Sequence, residues 1–265
     1  MKKRYDEILE AVVLTFLNKK EPIGSASLQS KLPFEISPAT IRYYFSKMVE
    51  RGELAQLHKS SGRIPTEQTM KRFWRHALKD LKLLCDAVEE VEQRACEEDL
   101  FVLLKPLRHN RFRRIERVAD RYLILVFDDD EYVIRYQAPL ESFLRDLIGY
   151  DLDEVKQIVR DVGMMTLFYK MRARSGDEVR LLNPAAVVKM ASQTGEWGSR
   201  HLKEFLEGEA LERFDNGIHF DPKVPKGFMA LKTEAMLDEN PVKLLCLGAI
   251  DHNFTKLFKT EVKDA

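Results

Sequence analysis

The chain has 265 residues, 45% of them apolar, with 43 basic and 43 acidic side chains and a formal net charge of zero. That composition excludes a low-complexity linker and supplies apolar surface for one large domain or two to three small ones. No apolar run reaches the ~18–20 residues of a membrane span, and the charged N-terminus lacks an uninterrupted signal-peptide core.

The zero balance hides segregation. Residues 1–80 carry 15 basic and 9 acidic side chains, net +6; residues 82–104 carry 2 and 7, net −5. Residues 105–121 carry 7 and 2, net +5, and the remainder is net −6. A basic block on an acidic remainder suits a nucleic-acid-binding head on a regulatory or assembly body.

Ile8, Leu9, Val12, Val13, Phe16 and Leu17 recur at helical spacing, which predicts an amphipathic helix over 4–18. Glu21-Pro22-Ile23-Gly24-Ser25 breaks it, and a second short helix runs to about Leu32. Ser37-Pro38 is an N-cap followed by proline at the first helical position, and the third helix stops at Gly52. A strand over 53–58, the polar turn Lys59-Ser60-Ser61-Gly62-Arg63 and a return segment at Ile64-Pro65 complete the element order of a winged helix-turn-helix. A further helix starts at Glu67. Its continuation places Leu81, Leu84, Val88, Val91 and Ala95 at three- and four-residue steps, a short coiled-coil-like stripe or a helix packed on its own domain.

Beyond Arg121 the period changes. Strands are predicted over 122–127, 132–136, 228–233 and 242–249, and helices over 141–148, 153–172 and 199–206. Helices mixed with antiparallel strands make an α+β domain.

The third helix carries the sharpest chemistry. With Ile41, Phe45 and Met48 inward, its outer face offers Thr40, Arg42 and Tyr43 for base edges and Lys47 for phosphate. Ser37, at the helix N-terminus, is placed to meet a phosphate. His58, Lys59, Ser60 and Arg63 form a wing suited to the DNA backbone or minor groove. The run Lys105, Arg108, Arg111, Arg113, Arg114, Arg117 and Arg121 extends that footprint or, as the favoured reading, is a solvated helix face opposite the acidic 82–104 segment.

Catalytic chemistry finds no support in the sequence. Cys85 and Cys96 have no histidine at ligand spacing, the Asp128-Asp129-Asp130-Glu131 turn lacks the EF-hand glycine, and there is no Gly-x-Ser-x-Gly or phosphate-cradling loop. No catalytic residue, metal or cofactor is expected. The three cysteines, an odd and scattered set, fit reduced thiols and a cytoplasmic location.

Three ordered segments carry a family resemblance: Glu21-Pro22-Ile23-Gly24-Ser25, Ser37-Pro38-Ala39-Thr40-Ile41-Arg42 and His58-Lys59-Ser60-Ser61-Gly62-Arg63-Ile64-Pro65-Thr66. Together they resemble the N-terminal signature of the heat-inducible transcription repressor HrcA family. The resemblance implies a winged-helix head and a GAF-like α+β domain with an inserted dimerisation region, reduced in a chain of this length. It also implies a homodimer on an inverted-repeat operator in double-stranded DNA upstream of chaperone operons, with the chaperonin GroE as modulator. Tyr43 departs from the family, which usually has Asn there, and Gly248–Asn253 takes the place of its C-terminal motif.

The expected organisation is a winged-helix DNA-binding domain over 1–80, a helical linker over 81–104, and a GAF-like dimerisation and regulatory domain over 105–265. The expected function is transcriptional repression. The alternatives are a metabolite-responsive winged-helix regulator and, behind it, an enzyme with a DNA-binding head.

Overall fold

A computed structural model describes all residues except 1, 59–60, 79–82, 86, 108, 175–178, 196–198 and 259–265. The chain divides into two units, residues 1–105 with 179–265, and an inserted unit over 106–178.

The first unit opens with helices α1 (Lys2–Lys19), α2 (Ser25–Gln29) and α3 (Pro38–Glu50). A hairpin of β1 (Leu54–Ala55) and β2 (Ile64–Pro65) follows, then α4 (Glu67–Ala77). The order is that of a winged helix, and Ile23 adds a third bridge to the hairpin by pairing with Arg63. Helix α1 buries two faces because its apolar positions run along two stripes. Ile8, Leu9 and Val12 join Leu28, Ile41, Phe45 and Met48 in the core of the head. Val13 and Leu17 turn instead to a second core, shared with Met70, Trp74 and Leu78 and with the strands of the body.

The body begins with β3 (Leu83–Cys85), α5 (Val88–Glu97) and β4 (Phe101–Pro106). The segment 81–104 is therefore not a helical linker: two of its pieces are strands of the main sheet. The physical reason is visible in Leu100-Phe101-Val102-Leu103-Leu104, a continuous apolar run that suits a strand covered on both faces. The three-and-four spacing of the stripe does not mark one continuous helix either. Leu84 lies in β3, Val91 is fully buried in the body core, and Leu81 lies outside the described residues.

The inserted unit is an antiparallel meander, β5 (Phe112–Val118), β6 (Tyr122–Phe127) and β7 (Glu131–Arg135), followed by α6 (Ala138–Arg145), α7 (Leu152–Asp161) and α8 (Met165–Arg174). Alternate residues Leu123, Leu125 and Phe127 face the helical side, packing with Leu144, Val155, Val159 and Met171. The single helix expected over 153–172 is two helices, parted at Gly163, which takes φ +80°. Buried Asn110 pins the meander: its amide donates to Asp130 at 2.7 Å and accepts from the Asp129 backbone at 3.0 Å, while its own N–H meets the Asp151 carboxylate at 3.1 Å.

The basic run is not a helix face: Lys105 is buried in β4, Arg113, Arg114 and Arg117 lie in β5, and Arg111 and Arg121 flank that strand. Arg113 pairs with Asp128 at 2.5 Å, Arg114 with Glu116 at 2.7 Å, and Arg117 with Asp120 at 2.7 Å while stacking on Tyr136. Arg108 lies outside the described residues. Hydrogen bonding to Arg113 and the Arg111 backbone holds the Asp128 carboxyl below its ordinary range.

The chain returns through β8 (Arg180–Leu182), α9 (Pro184–Thr194), α10 (Ser199–Leu206), α11 (Ala210–Arg213), β9 (Gly217–His219), β10 (Phe228–Leu237) and β11 (Asn240–Ala249), ending in a 3-10 turn at Phe254–Leu257. The sheet order is β3-β10-β11-β4-β8, with β9 also on β10. Asp238 and Glu239, both at positive φ, make the two-residue turn that joins β10 to β11. Alternation covers both faces of this sheet: Val102, Leu104, Leu244 and Cys246 meet the head and α5, whereas Phe101, Leu103, Leu245 and Leu247 meet α9 to α11. Helices and sheet thus mix in an α+β chain, as the sequence leads one to expect.

Candidate nucleic-acid interface

Helix α3 begins where the sequence says it must. The Ser37 hydroxyl accepts the Thr40 N–H at 3.1 Å and hydrogen-bonds the Thr40 hydroxyl at 2.8 Å, with Pro38 at the first helical position. Capping worth about 1 kcal/mol fixes the start of the helix, and it also occupies the Ser37 side chain. Ile41, Phe45 and Met48 are buried beneath it, which turns Thr40, Arg42 and Tyr43 to solvent on the opposite side. Gly52, at φ +68°, ends the helix and swings the chain into β1.

The cations on this face are held lightly. The Arg42 Nε donates to the Pro38 carbonyl at 3.3 Å, and Lys47 pairs with Glu50 at 2.9 Å, both of that pair being exposed. An exposed pair contributes at most about 1 kcal/mol, so a phosphate can displace it.

Gly62 lies so close to Ile23 that a Cβ would stand 2.6 Å from the Ile23 carbonyl carbon and oxygen. Ile23 and Arg63 exchange both backbone hydrogen bonds, at 2.8 and 2.9 Å. His58 is exposed, and its N–H and carbonyl both bond the Ser61 hydroxyl. Arg63 turns its Nη1 back to the Ser61 carbonyl at 3.0 Å, and its buried Nε has no hydrogen-bond partner among the described residues. Lys59 and Ser60 lie outside the described residues. The structure therefore places Thr40, Arg42, Tyr43 and Lys47 around the outer side of α3, Ser37 at its cap, and His58 and Arg63 on the hairpin that follows.

Sequence reading passed over Glu53, which ties these parts together. Its carboxylate accepts from the Tyr5 hydroxyl and from Arg72, and its backbone carbonyl accepts from Thr66 and Thr69. Burial and the Glu53 carboxylate push the Tyr5 hydroxyl up to about 12. No local pattern marks this residue, because its partners come from α1 and α4.

Elsewhere in the first unit, a cavity of about 90 Å³ lies between α9 and β11, lined by Lys189, Met190, Phe228 and His252. A larger cavity of about 470 Å³ lies between α1 and α4, lined by Leu9, Val13, Thr69, Arg72, Phe73 and His76. Among the described residues no group of His, Cys, Asp and Glu is arranged to hold a metal ion, and no helix is long and apolar enough to cross a membrane.

A capped, outward-facing helix followed by a β-hairpin, carried on an α+β body, is the element order of winged-helix transcription regulators. A family model described as the HrcA C-terminal domain matches residues 74–265, and the chain belongs to the HrcA family. A heat-inducible transcription repressor HrcA of Helicobacter pylori strain J99 is 28% identical over 263 residues, covering 98% of this chain and 94% of the relative. The repressor of the same name from Syntrophobacter fumaroxidans is 34% identical over 186 residues, covering 61% of this chain and 53% of the relative. A solved structure described as a hypothetical protein at 2.2 Å resolution covers 97% of this chain and 92% of its own at a TM-score of 0.48 and 19% identity, too loose a likeness to carry an argument.

Proposed function

We propose that this protein is a DNA-binding transcription repressor of heat-shock genes that acts from the cytoplasm as a homodimer, each winged head occupying one half of an inverted-repeat operator. The observation that carries the reading is the capped helix α3, which presents Thr40, Arg42, Tyr43 and Lys47 on one exposed face beside a closed hairpin. Two heads on a two-fold body make the second half-site contact intramolecular, so affinity rises without any new kind of contact. Repression is then steric, and it is relieved when folded dimer is lost. A chaperonin that restores folded dimer restores repression. The family relationship to repressors gives no role to catalysis.

The test is titration of the full chain against an inverted-repeat chaperone-promoter fragment across a salt series, with and without chaperonin. Arg42→Ala should weaken specific binding by about 1–3 kcal/mol. Lys47→Ala should weaken all sequences alike and flatten the salt dependence by about one unit of slope. Unchanged operator affinity in Arg42→Ala, with the fold intact, would remove the reading-helix assignment.

The dimer reading draws on the inserted sheet. Opposite its helices, Val118 and Tyr122 face each other across β5 and β6, and Val133 lies beside Ile124; Val118, Tyr122 and Val133 are 44–46% exposed. Arg114, Glu116, Glu131 and Arg135 share this face, and the exposed apolar side chains among them are the candidate contact. Tyr122→Asp should shift the full chain from dimer to monomer in sedimentation velocity and weaken the two-half-site complex while sparing a single half-site. A dimer of unchanged mass would place the interface elsewhere.

A further inference from the structure

We propose that Tyr43 is a base-reading residue whose ring packs against the C5-methyl group of a thymine in the major groove of each half-site. This inference rests on the operator-binding reading and adds what the helix recognises there.

Tyr43 is 60% exposed, against 36% for Val49, the other exposed large apolar residue of α3. Its neighbours on that face, Ala39, Thr40 and Ser46, are short. Arg42 folds back to the Pro38 carbonyl and Lys47 leans to Glu50, so the phenol ring is the bulkiest apolar group the face presents. The ring is also buttressed. It meets Tyr44 edge to face at 5.9 Å and 69°, and Tyr44 meets Tyr5 at 6.1 Å and 70°. Tyr5 in turn donates to Glu53 and lies under the Arg51 guanidinium at 4.9 Å. A side chain with two rotatable bonds, stiffened by such a stack, loses little freedom on docking.

A helix in the major groove meets one apolar feature on the base edges, the thymine methyl, and that feature distinguishes A·T from T·A. A raised aromatic ring among short residues matches it. Had Tyr43 only met the backbone through its hydroxyl, binding would be indifferent to the base.

The experiment begins with the duplex that the full chain itself selects from a randomised inverted-repeat library. Each thymidine of that duplex is then replaced singly by deoxyuridine, which keeps every hydrogen bond and removes only the methyl. We expect one or two symmetry-related positions per half-site to lose about four-fold in affinity, the equivalent of ~0.8 kcal/mol for a buried methyl. The same replacements should cost nothing further in Tyr43→Ala. Even tolerance of uracil at every position by the unaltered chain overturns the assignment, whether or not the variant folds. Equal losses in the chain and in Tyr43→Ala overturn it too. In both cases the unmodified duplex is still bound and the operator-binding reading stands; selection of no duplex at all would remove both.

Discussion

Trp74→Ala should cost the protein about 3–5 kcal/mol of stability, more than any other single truncation in the head. Trp74 is fully buried, and its indole N–H donates to the Ile250 carbonyl at 2.7 Å. Its ring meets Phe254 edge to face at 5.4 Å, so one side chain of α4 holds the end of β11 and the 3-10 turn that follows. Lys20, at the end of α1, donates to the Asp251 carbonyl one residue further on. Truncation removes the packing and leaves a buried carbonyl without its donor. Trp74→Phe isolates the second effect, with an expected loss of about 1–3 kcal/mol. Urea denaturation of the full chain checks both, and a Trp74→Ala midpoint matching the unaltered protein would show that head and body are not joined through this residue. The same packing means that residues 1–80 are not an independent unit, because Val13, Leu17, Met70 and Trp74 complete their burial against the body.

Gly62→Ala should open the hairpin. The added methyl would sit 2.6 Å from backbone atoms of Ile23, and backbone cannot rotate aside as a side chain can. The two Ile23–Arg63 hydrogen bonds would separate. Overpacking at a tight site costs about 1–3 kcal/mol, and here it also displaces His58 and Arg63 from α3. We expect operator affinity to fall at least roughly ten-fold, given 1.4 kcal/mol per decade. Gly24→Ala is the control, since a methyl group added at Gly24 would meet nothing within 4 Å and its φ is an ordinary −86°. Equal affinity for Gly62→Ala and Gly24→Ala would show that hairpin closure does not matter for DNA.

Much of the head was legible from local chemistry. Ser37-Pro38 marked the first turn of α3, Gly52 marked its end, and the 3.6-residue period of α1 located its buried faces. Each of these signals works within a few residues, through a cap, a positive φ or one amphipathic face. The strand at Tyr122–Phe127 and the helix at Ser199–Leu206 were legible for the same reason.

What failed were the segments whose partners lie far along the chain. Leu84, Val88 and Val91 share a helical spacing, yet a parallel pairing of β3 with β10, some 150 residues later in the chain, makes the first of them a strand residue. The basic residues of β5 read as a helix surface until β6 pairs with them and Asp128 supplies a counter-charge. The close approach of Gly62 to Ile23 was not legible, because α2 and α3 lie between the two in the chain.

The sequence by itself thus determined where the reading helix starts and stops, which of its side chains turn outward, and the family signature around them. Those follow from hydrogen bonds and periodicity inside one element. The tertiary structure alone decided that the 81–104 segment gives two strands to the main sheet, that the head shares a core with the body, and that Glu53 and Trp74 join elements distant in sequence. Burial and long-range pairing depend on which surfaces meet, and no local pattern of residue types encodes that choice.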